Sequence, residues 1–447
     1  MSSGTVIDID TILERRIFSG FLIRLIVVSW FATFLDGFDT GAISFVAPYL
    51  TKELHLDQIQ LGNLFAIGIA GLAVGSTVFG FLGDRIGRRP AILWAVGCCG
   101  LLTLLTTVAT NYAGLAALRF LAGVGLGGAL PLIWSINLEF APARVRSTVI
   151  AVIMVGYTLG SASSGPATIA LAPTYGWRAV FAFGGMSTLI ALAVLALALP
   201  ESARFLFRRN PRHPCLHDLM RKVDPTLGAA VRPYACQTEV SFNSAKTGVR
   251  QLFAGSLLWI TPVLWLGYIG SSALVFLTIS WTPTILEMVS FTRTDAAWIA
   301  SSAAMAACIL TILLSGFVDR KGPFVVALMP ILAMPIFATL AFTHLPQGTF
   351  LGFYVAMFLL IAGAHNGVNS IAARFYPTSS RALGTGWALA VSKVGGVLGP
   401  SVAGLLLRTR FSYHAVFVFD IVCGVVLALS LSVISLIHAK QGWEGRR

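Results

Sequence analysis

Charge is what this chain has least of. Lys, Arg, Asp and Glu make up 11% of its 447 residues and apolar types 56%, against roughly 25% and 45–50% in an ordinary soluble domain. So little polar material cannot coat a water-soluble globule, and the chain is expected to be solvated by lipid. Cysteine is sparse and unpatterned. Cys98, Cys99, Cys308 and Cys423 fall in apolar stretches and Cys215 and Cys236 in a polar one, with no metal-binding spacing, so neither a disulfide nor a zinc site is expected. Also missing is a glycine-rich loop ending in Lys-Ser or Lys-Thr to cradle phosphates. ATP is therefore not expected to drive the protein. No nucleophile sits with a base and no metal cluster is visible, so the chain does not read as an enzyme and no cofactor is expected. The first twenty residues contain no short apolar segment followed by a small-residue cleavage site, so the first apolar stretch is expected to stay in the mature protein.

Long apolar runs, by contrast, are abundant. Crossing about 30 Å of hydrocarbon takes roughly 20 residues, and twelve stretches meet that length. They start near Phe21, Gln58, Pro90, Tyr112, Thr148, Trp177, Leu257, Asp295, Phe324, Thr349, Leu383 and Tyr413. The fold class expected is an all-α integral membrane protein with twelve transmembrane helices. The formal charge of +13 does not point to nucleic acid. With the N-terminus taken as cytoplasmic, 24 of the 31 Lys and Arg fall on one side. Five (Lys52, Arg178, Arg293, Arg408, Arg410) fall on the other, and Arg119 and Lys393 lie within spans. This asymmetry follows the positive-inside rule and puts both termini in the cytoplasm.

One long polar stretch, residues 201–250, divides the spans six and six, into an N-terminal half of residues 1–200 and a C-terminal half of 251–447. The halves repeat. Gly80-Phe-Leu-Gly-Asp84-Arg85-Ile-Gly87 matches Ser315-Gly-Phe-Val-Asp319-Arg320-Lys-Gly322 at an offset of 235 residues. Pro142-Ala-Arg-Val-Arg146 matches Pro377-Thr-Ser-Ser-Arg381 at the same offset. Two motifs sharing one offset, each in the corresponding loop of its half, predict parallel repeats related by an axis along the membrane normal. Transporters built this way bind substrate near the midplane between halves.

These residues carry a family resemblance. Gly80 to Pro90, GFLGDRIGRRP, resembles the signature loop of the major facilitator superfamily, and Arg119-Phe-Leu-Ala-Gly123-Val-Gly125 resembles a second signature; the likeness covers nearly the whole chain. Asp36-Gly-Phe-Asp39 and Tyr376-Pro-Thr-Ser-Ser-Arg381-Ala-Leu-Gly-Thr-Gly-Trp387 are similar to the aromatic acid:proton symporter branch. The chain departs from that branch at His365 and Lys393, where Gln and Arg are usual. The resemblance implies a proton-coupled symporter that imports a small aromatic carboxylate, such as a hydroxybenzoate, across a bacterial cytoplasmic membrane by alternating access. It further implies that Arg119 assists proton movement at a nearby carboxylate. The partners expected are the aromatic acid, H+ as coupling ion and the lipid bilayer, with no nucleic acid, and the protein is expected to act as a monomer. Alternatives are a transporter of another organic acid, a sugar or an exported compound, or a non-transporting membrane sensor.

The repeat offset also sorts individual charges. Asp84 with Arg85, and Asp319 with Arg320, occur in both halves at helix ends, and together with Arg88, Arg89, Arg146 and Arg381 are expected to act as gate latches. Glu139 has Arg374 as its repeat equivalent, of opposite charge; the two are either a latch across the gate or interfacial residues solvated by water. Asp36 and Asp39 are unique to the first span, since their equivalents are Ser271 and Leu274. Three residues apart on a helix they share a face. Two such carboxylates disfavour being charged together at membrane depth, so at least one is expected to hold a proton and to couple transport to it. Arg119 and Lys393 have Tyr354 and Thr158 as equivalents. Lys393, about midway along the eleventh span beside Gly395 and Gly396, is the expected partner of a substrate carboxylate, with a static pairing to an Asp as the alternative. His365 titrates near neutral pH when unperturbed and is a candidate for proton relay or substrate hydrogen bonding, or simply a packing residue. Tyr157, Trp281, Tyr354, Trp387 and Trp134 are candidates to stack on a planar ring. Gly123-Val-Gly-Leu-Gly127-Gly128 fits G-x-G-x-x-G, but no strand precedes it, so close helix packing is expected there. Gly156, Gly160, Gly165 and Pro166 match the region of Gly395, Gly396, Gly399 and Pro400, where small residues permit close packing and bending.

Overall fold

The computed structural model describes residues 7–15, 19–210, 214–223, 234–235, 249–255, 257–321, 323–376, 381–408 and 412–444. Among these residues twelve long helices carry the fold: α1 Gly20–Leu54, α2 Gln58–Ile86, α3 Arg88–Leu105, α4 Tyr112–Phe140, α5 Arg146–Tyr175, α6 Trp177–Ala198, α7 Leu257–Met288, α8 Arg293–Lys321, α9 Pro323–Phe342, α10 Gln347–Phe375, α11 Arg381–Leu407 and α12 Ser412–Glu444. Each begins within two residues of an expected start. Among the described residues ten helices are long and apolar enough to cross a membrane, and α9 contributes a shorter apolar run, Val326–Phe342. Large apolar side chains such as Trp94, Leu197, Trp259 and Phe342 point outward, as a lipid-facing belt requires.

The helix ends follow from local chemistry. Ser19 caps α1 by accepting from the Leu22 amide, and Asp57 and Gln60 form a reciprocal capping box on α2. Single glycines join α2 to α3 and α5 to α6. Gly87 has φ 107° and Gly176 φ 78°, left-handed angles that residues with a Cβ rarely adopt. The N-terminus of α3 is capped from a distance: the Glu201 carboxylate accepts from the amides of Arg88 (2.9 Å) and Arg89 (3.1 Å), where the helix dipole favours an anion.

The repeat seen in the sequence is also a repeat of contacts. In the N-terminal half α1 packs on α5 so closely that a methyl group built on Gly160 would overlap the Phe34 carbonyl oxygen. In the C-terminal half α7 packs on α11 in the same manner, and a methyl on Gly395 would overlap the Ile269 carbonyl. Each member of the second contact lies 235 residues after its counterpart in the first. The glycine run of α4 serves packing too: methyl groups on Gly123 and Gly127 would overlap the carbonyls of Gly68 and Leu72 on α2.

Between the halves, the close contacts lie on the side away from the termini. There a methyl on Gly62 of α2 would come within 2.6 Å of the Pro400 carbonyl of α11, and Gly165 of α5 abuts Ser301 of α8. Phe65 of α2 meets Trp281 of α7 edge-on, ring centroids 5.4 Å apart. On the opposite side, the short helix Ile9–Arg15 packs against the helix Pro214–Val223 from the segment between the halves. Residues Ile7–Asp8 and Tyr234–Ala235 pair as two short parallel strands beside them. Ile9, Ile12 and Leu13 join Leu216 and Met220 and the start of α1, Leu22 and Leu25, in one buried cluster.

Candidate substrate and ion site

A cavity opens at mid-depth among α1, α2, α4, α5 and α7. Its walls include Asp39, Ser44, Arg119, Tyr157, Phe276 and Ser280. It takes in about 720 Å³ of space free of protein atoms, counting the open mouth and the solvent space it adjoins.

Asp39 and Arg119 face each other in its wall, with 2% and 6% of their side chains exposed and Nη1 3.4 Å from Oδ2. Two threonines of the α3 end complete the arrangement. Thr103 donates to Asp39 Oδ1 (2.8 Å), and Arg119 Nη2 donates to the hydroxyls of Thr103 (3.2 Å) and Thr106 (2.9 Å). The guanidinium also lies over the Phe181 ring, 4.6 Å from its centroid. Pairing with Arg119 offsets part of the cost of burying a carboxylate at this depth.

Asp36, one turn earlier on α1, is buried as well (7% exposed) but turns to different neighbours. Its carboxylate lies within electrostatic reach of Lys393, from the opposite half, and of Asp39. Its Oδ2 has no hydrogen-bond partner among the described residues. Thr40 donates to the Asp36 carbonyl (2.9 Å) and lies beside the Tyr157 hydroxyl. Lys393 extends over Phe276, 5.6 Å from Nζ to ring centroid, and so approaches the cavity from behind one of its walls. His365 shares a 2.9 Å hydrogen bond through Nδ1 with Ser271, the repeat equivalent of Asp36, and lies within electrostatic reach of Lys393.

Of the aromatic candidates, Tyr157 lines the cavity. The other four stand elsewhere. Tyr354 is buried in the C-terminal half, its hydroxyl 2.8 Å from Thr282 and its ring stacked on Phe350. Trp281 is fully buried and donates to the Pro400 carbonyl at 3.1 Å. Trp387 is 41% exposed and stacks on Trp265. Trp134, half-buried, packs beside the N-terminal core cluster.

Of the candidate latches in the N-terminal half, Glu139 and Arg88 engage each other. Glu139, 1% exposed, accepts from Arg88 Nη1 (2.8 Å), the Ser202 hydroxyl (2.7 Å) and the Arg204 amide (2.7 Å). Arg89 donates to the Ala196 carbonyl. Arg146 donates to the Ala141 carbonyl and pairs with Glu14 at 3.8 Å. Asp84 and Arg85 are exposed, and Arg85 covers the Phe81 ring. The side chains of Asp319, Arg320, Arg374 and Arg381 lie outside the described residues.

Two features escaped the sequence reading. On the side away from the termini, Arg293 of α8 lies over the Tyr49 ring of α1 (4.9 Å) and pairs with Glu287 (3.4 Å), a contact between halves that the offset could not reveal because it has no internal symmetry. Asp420 is fully buried in α12 with neither carboxylate oxygen hydrogen-bonded among the described residues. Its position in the twelfth apolar stretch was the available signal.

Comparison with known proteins gives a consistent pattern. A family model described as Major Facilitator Superfamily matches residues 29–368 and 290–444. The 4-hydroxybenzoate transporter PcaK of Pseudomonas aeruginosa is 31% identical, with 92% of each chain covered, and the gallate transporter of Pseudomonas putida 29% identical over 92% of this chain and 91% of that one. Among solved structures, the E. coli xylose transporter XylE in a partially occluded inward-open conformation superposes with a TM-score of 0.70 at 18% identity, covering 92% of this chain and 97% of that one. An inward-facing bacterial homologue of the lysosomal transporter Spinster superposes with a TM-score of 0.69 at 16% identity, covering 93% and 98%.

Proposed function

From the premise that this chain belongs to the major facilitator superfamily, we propose that it is a proton-coupled symporter importing a small aromatic carboxylate into a bacterial cell by alternating access. The observation that carries this reading is the set of two buried acids and two cations beside one cavity: Asp39 ion-paired with Arg119 inside the N-terminal half, and Asp36 within electrostatic reach of the half-buried Lys393 across the halves. The named activities of the similar bacterial transporters, 4-hydroxybenzoate and gallate, supply the substrate class.

Charge balance gives the coupling. With the site empty, the two pairs sum to zero. A substrate carboxylate that takes Lys393 leaves Asp36 without its cation and the site one negative charge in excess. A proton on Asp36 restores neutrality, which matters because an unpaired charge at membrane depth costs several kcal/mol. The doubly loaded site can then be enclosed and carried, whereas the singly loaded one cannot. Asp39 keeps its own cation and sets the field in which Asp36 titrates. Tyr157 and Phe276 offer ring faces to the aromatic substrate.

The two six-helix halves rock about this site. The contacts at Gly62–Pro400, Gly165–Ser301 and Tyr49–Arg293 form the outer closure, and the basic motifs on the terminus-bearing, cytoplasmic side form the inner one. The protein resides in the cytoplasmic membrane with both termini inside, in keeping with the distribution of Lys and Arg.

The test is uptake of radiolabelled 4-hydroxybenzoate and related acids into proteoliposomes, with and without an inward proton gradient, for the wild type, Asp36→Asn, Asp39→Asn and Lys393→Ala. Gradient-driven uptake that disappears in the Asp variants, with apparent affinity at least tenfold weaker in Lys393→Ala, is the expected result. Uptake indifferent to the gradient would remove the coupling, and no uptake of any aromatic acid would remove the substrate class.

A further inference from the structure

On the face opposite the termini, the turn after α9 and the first turn of α12 bring together two histidines that are 70 residues apart in sequence. His414 Nε2 lies 3.3 Å from His344 Nδ1, and the rings are perpendicular with centroids 4.7 Å apart. The other ring nitrogen of His414, Nδ1, is 2.9 Å from the Leu340 carbonyl oxygen. A carbonyl only accepts, so Nδ1 carries the proton and Nε2 presents its lone pair toward His344. The Tyr413 ring packs on His414 at 4.2 Å and restricts its rotation. His344 is exposed and His414 partly so, leaving the gap between the two nitrogens open to solution.

We propose that His344 and His414 form a zinc-binding site on the outer face of the C-terminal half. Zinc holds imidazole nitrogens at about 2.0–2.1 Å in a tetrahedron, which sets two of them about 3.3–3.4 Å apart, the separation found here. A square-planar Cu(II) or Ni(II) site with bonds of similar length brings neighbouring nitrogens to about 2.9 Å, so a tetrahedral ion needs the smaller adjustment of the two rings. Ligating histidines commonly hand their second N–H to a carbonyl, which fixes tautomer and ring orientation, and His414 does so with Leu340. Two waters complete the coordination. Without metal, a proton on His344 Nδ1 donated to His414 Nε2 takes the same place; on zinc binding that proton leaves or moves to His344 Nε2. Both histidines belong to one half. The ion therefore ties the end of α9 to the start of α12 without bridging the rocking interface.

The experiment is zinc titration of the full-length protein, purified in detergent without a polyhistidine tag, followed by calorimetry and thermal unfolding. Saturable binding of one equivalent with a raised Tm is expected, both lost in His344→Ala and in His414→Phe; the latter retains an aromatic ring against Tyr413 and so separates loss of a ligand from loss of packing. Co(II) in place of zinc is expected to give the visible absorption of a four-coordinate nitrogen and oxygen site. No zinc binding by the wild type would overturn the proposal, as would binding unchanged in both variants. A thiolate-to-cobalt charge-transfer band would also overturn it, since it would place the metal on cysteine.

Discussion

Arg119 and Asp39 form a buried ion pair whose repeat equivalents, Tyr354 and Leu274, bear no charge at neutral pH. The Arg119 and Tyr354 positions are equivalent in the fold, yet one holds a guanidinium against a carboxylate at 3.4 Å and the other a phenol against the Thr282 hydroxyl at 2.8 Å. The halves share a framework and differ in electrostatics, with the ionic chemistry concentrated in the N-terminal one.

Removing one member of that pair is expected to be worse than removing both charges. Arg119→Leu leaves the buried Asp39 without its cation, at a cost of about 3–5 kcal/mol. The double variant Arg119→Leu with Asp39→Asn strands no ion and should recover most of the thermal stability. Unfolding in detergent measures the first effect, and proteoliposome uptake, absent in both variants, separates folding from coupling.

The twin glycine contacts make a symmetric prediction. Gly160→Val and Gly395→Val each drive a side chain into a backbone carbonyl, and overpacking of this kind costs roughly 1–3 kcal/mol. The two variants should lower Tm by similar amounts, while Gly348→Val, where a Cβ meets nothing within 4 Å, leaves it nearly unchanged. A large inequality between Gly160→Val and Gly395→Val would show that the two halves do not pack equivalently.

Glu139 is satisfied three times over, by Arg88, the Ser202 hydroxyl and the Arg204 amide. Glu139→Ala leaves these donors without their common acceptor, at about 1–3 kcal/mol per buried group. Earlier proteolysis of the chain after Ala198 in the variant than in the wild type is the expected sign, since this carboxylate pins the exit of α6 to the end of α4. Equal cleavage rates would mean that Glu201, through the α3 amides, holds that junction alone.

Asp420 predicts a gain. Both of its oxygens are buried without hydrogen bonds among the described residues, and replacing an unsatisfied buried polar group by an apolar one of similar size is neutral or stabilising. Asp420→Leu is expected to keep or raise Tm and to leave gradient-driven uptake intact. Loss of uptake with a preserved Tm would instead give this carboxyl a part in transport.

Much of this molecule could be read from its sequence alone. The scarcity of charge fixed the solvent as lipid, the length of the apolar runs set the helices to within two residues of their starts, and the 235-residue offset identified the repeat. The same offset marked Asp36, Asp39, Arg119 and Lys393 as charges without counterparts. All of these are properties of composition or of spacing along one chain, which is why a linear reading finds them. Pairing is a different matter. Glu139 is charge-complementary to Arg374 at its repeat position, yet the structure gives it Arg88 and Ser202, because the α2–α3 turn and the α6 exit converge on it. Asp36 and Asp39 lie one turn apart, yet each turns to a different neighbour, since α1 packs between α5 and the rest of its own half. Tyr354, equivalent to Arg119, is enclosed by Phe350 and Phe417 away from the cavity. His344 and His414 meet only because the end of α9 lies beside the start of α12. Which side chains touch is decided by helix packing across tens of residues, and the energetics of a buried charge depend on that contact.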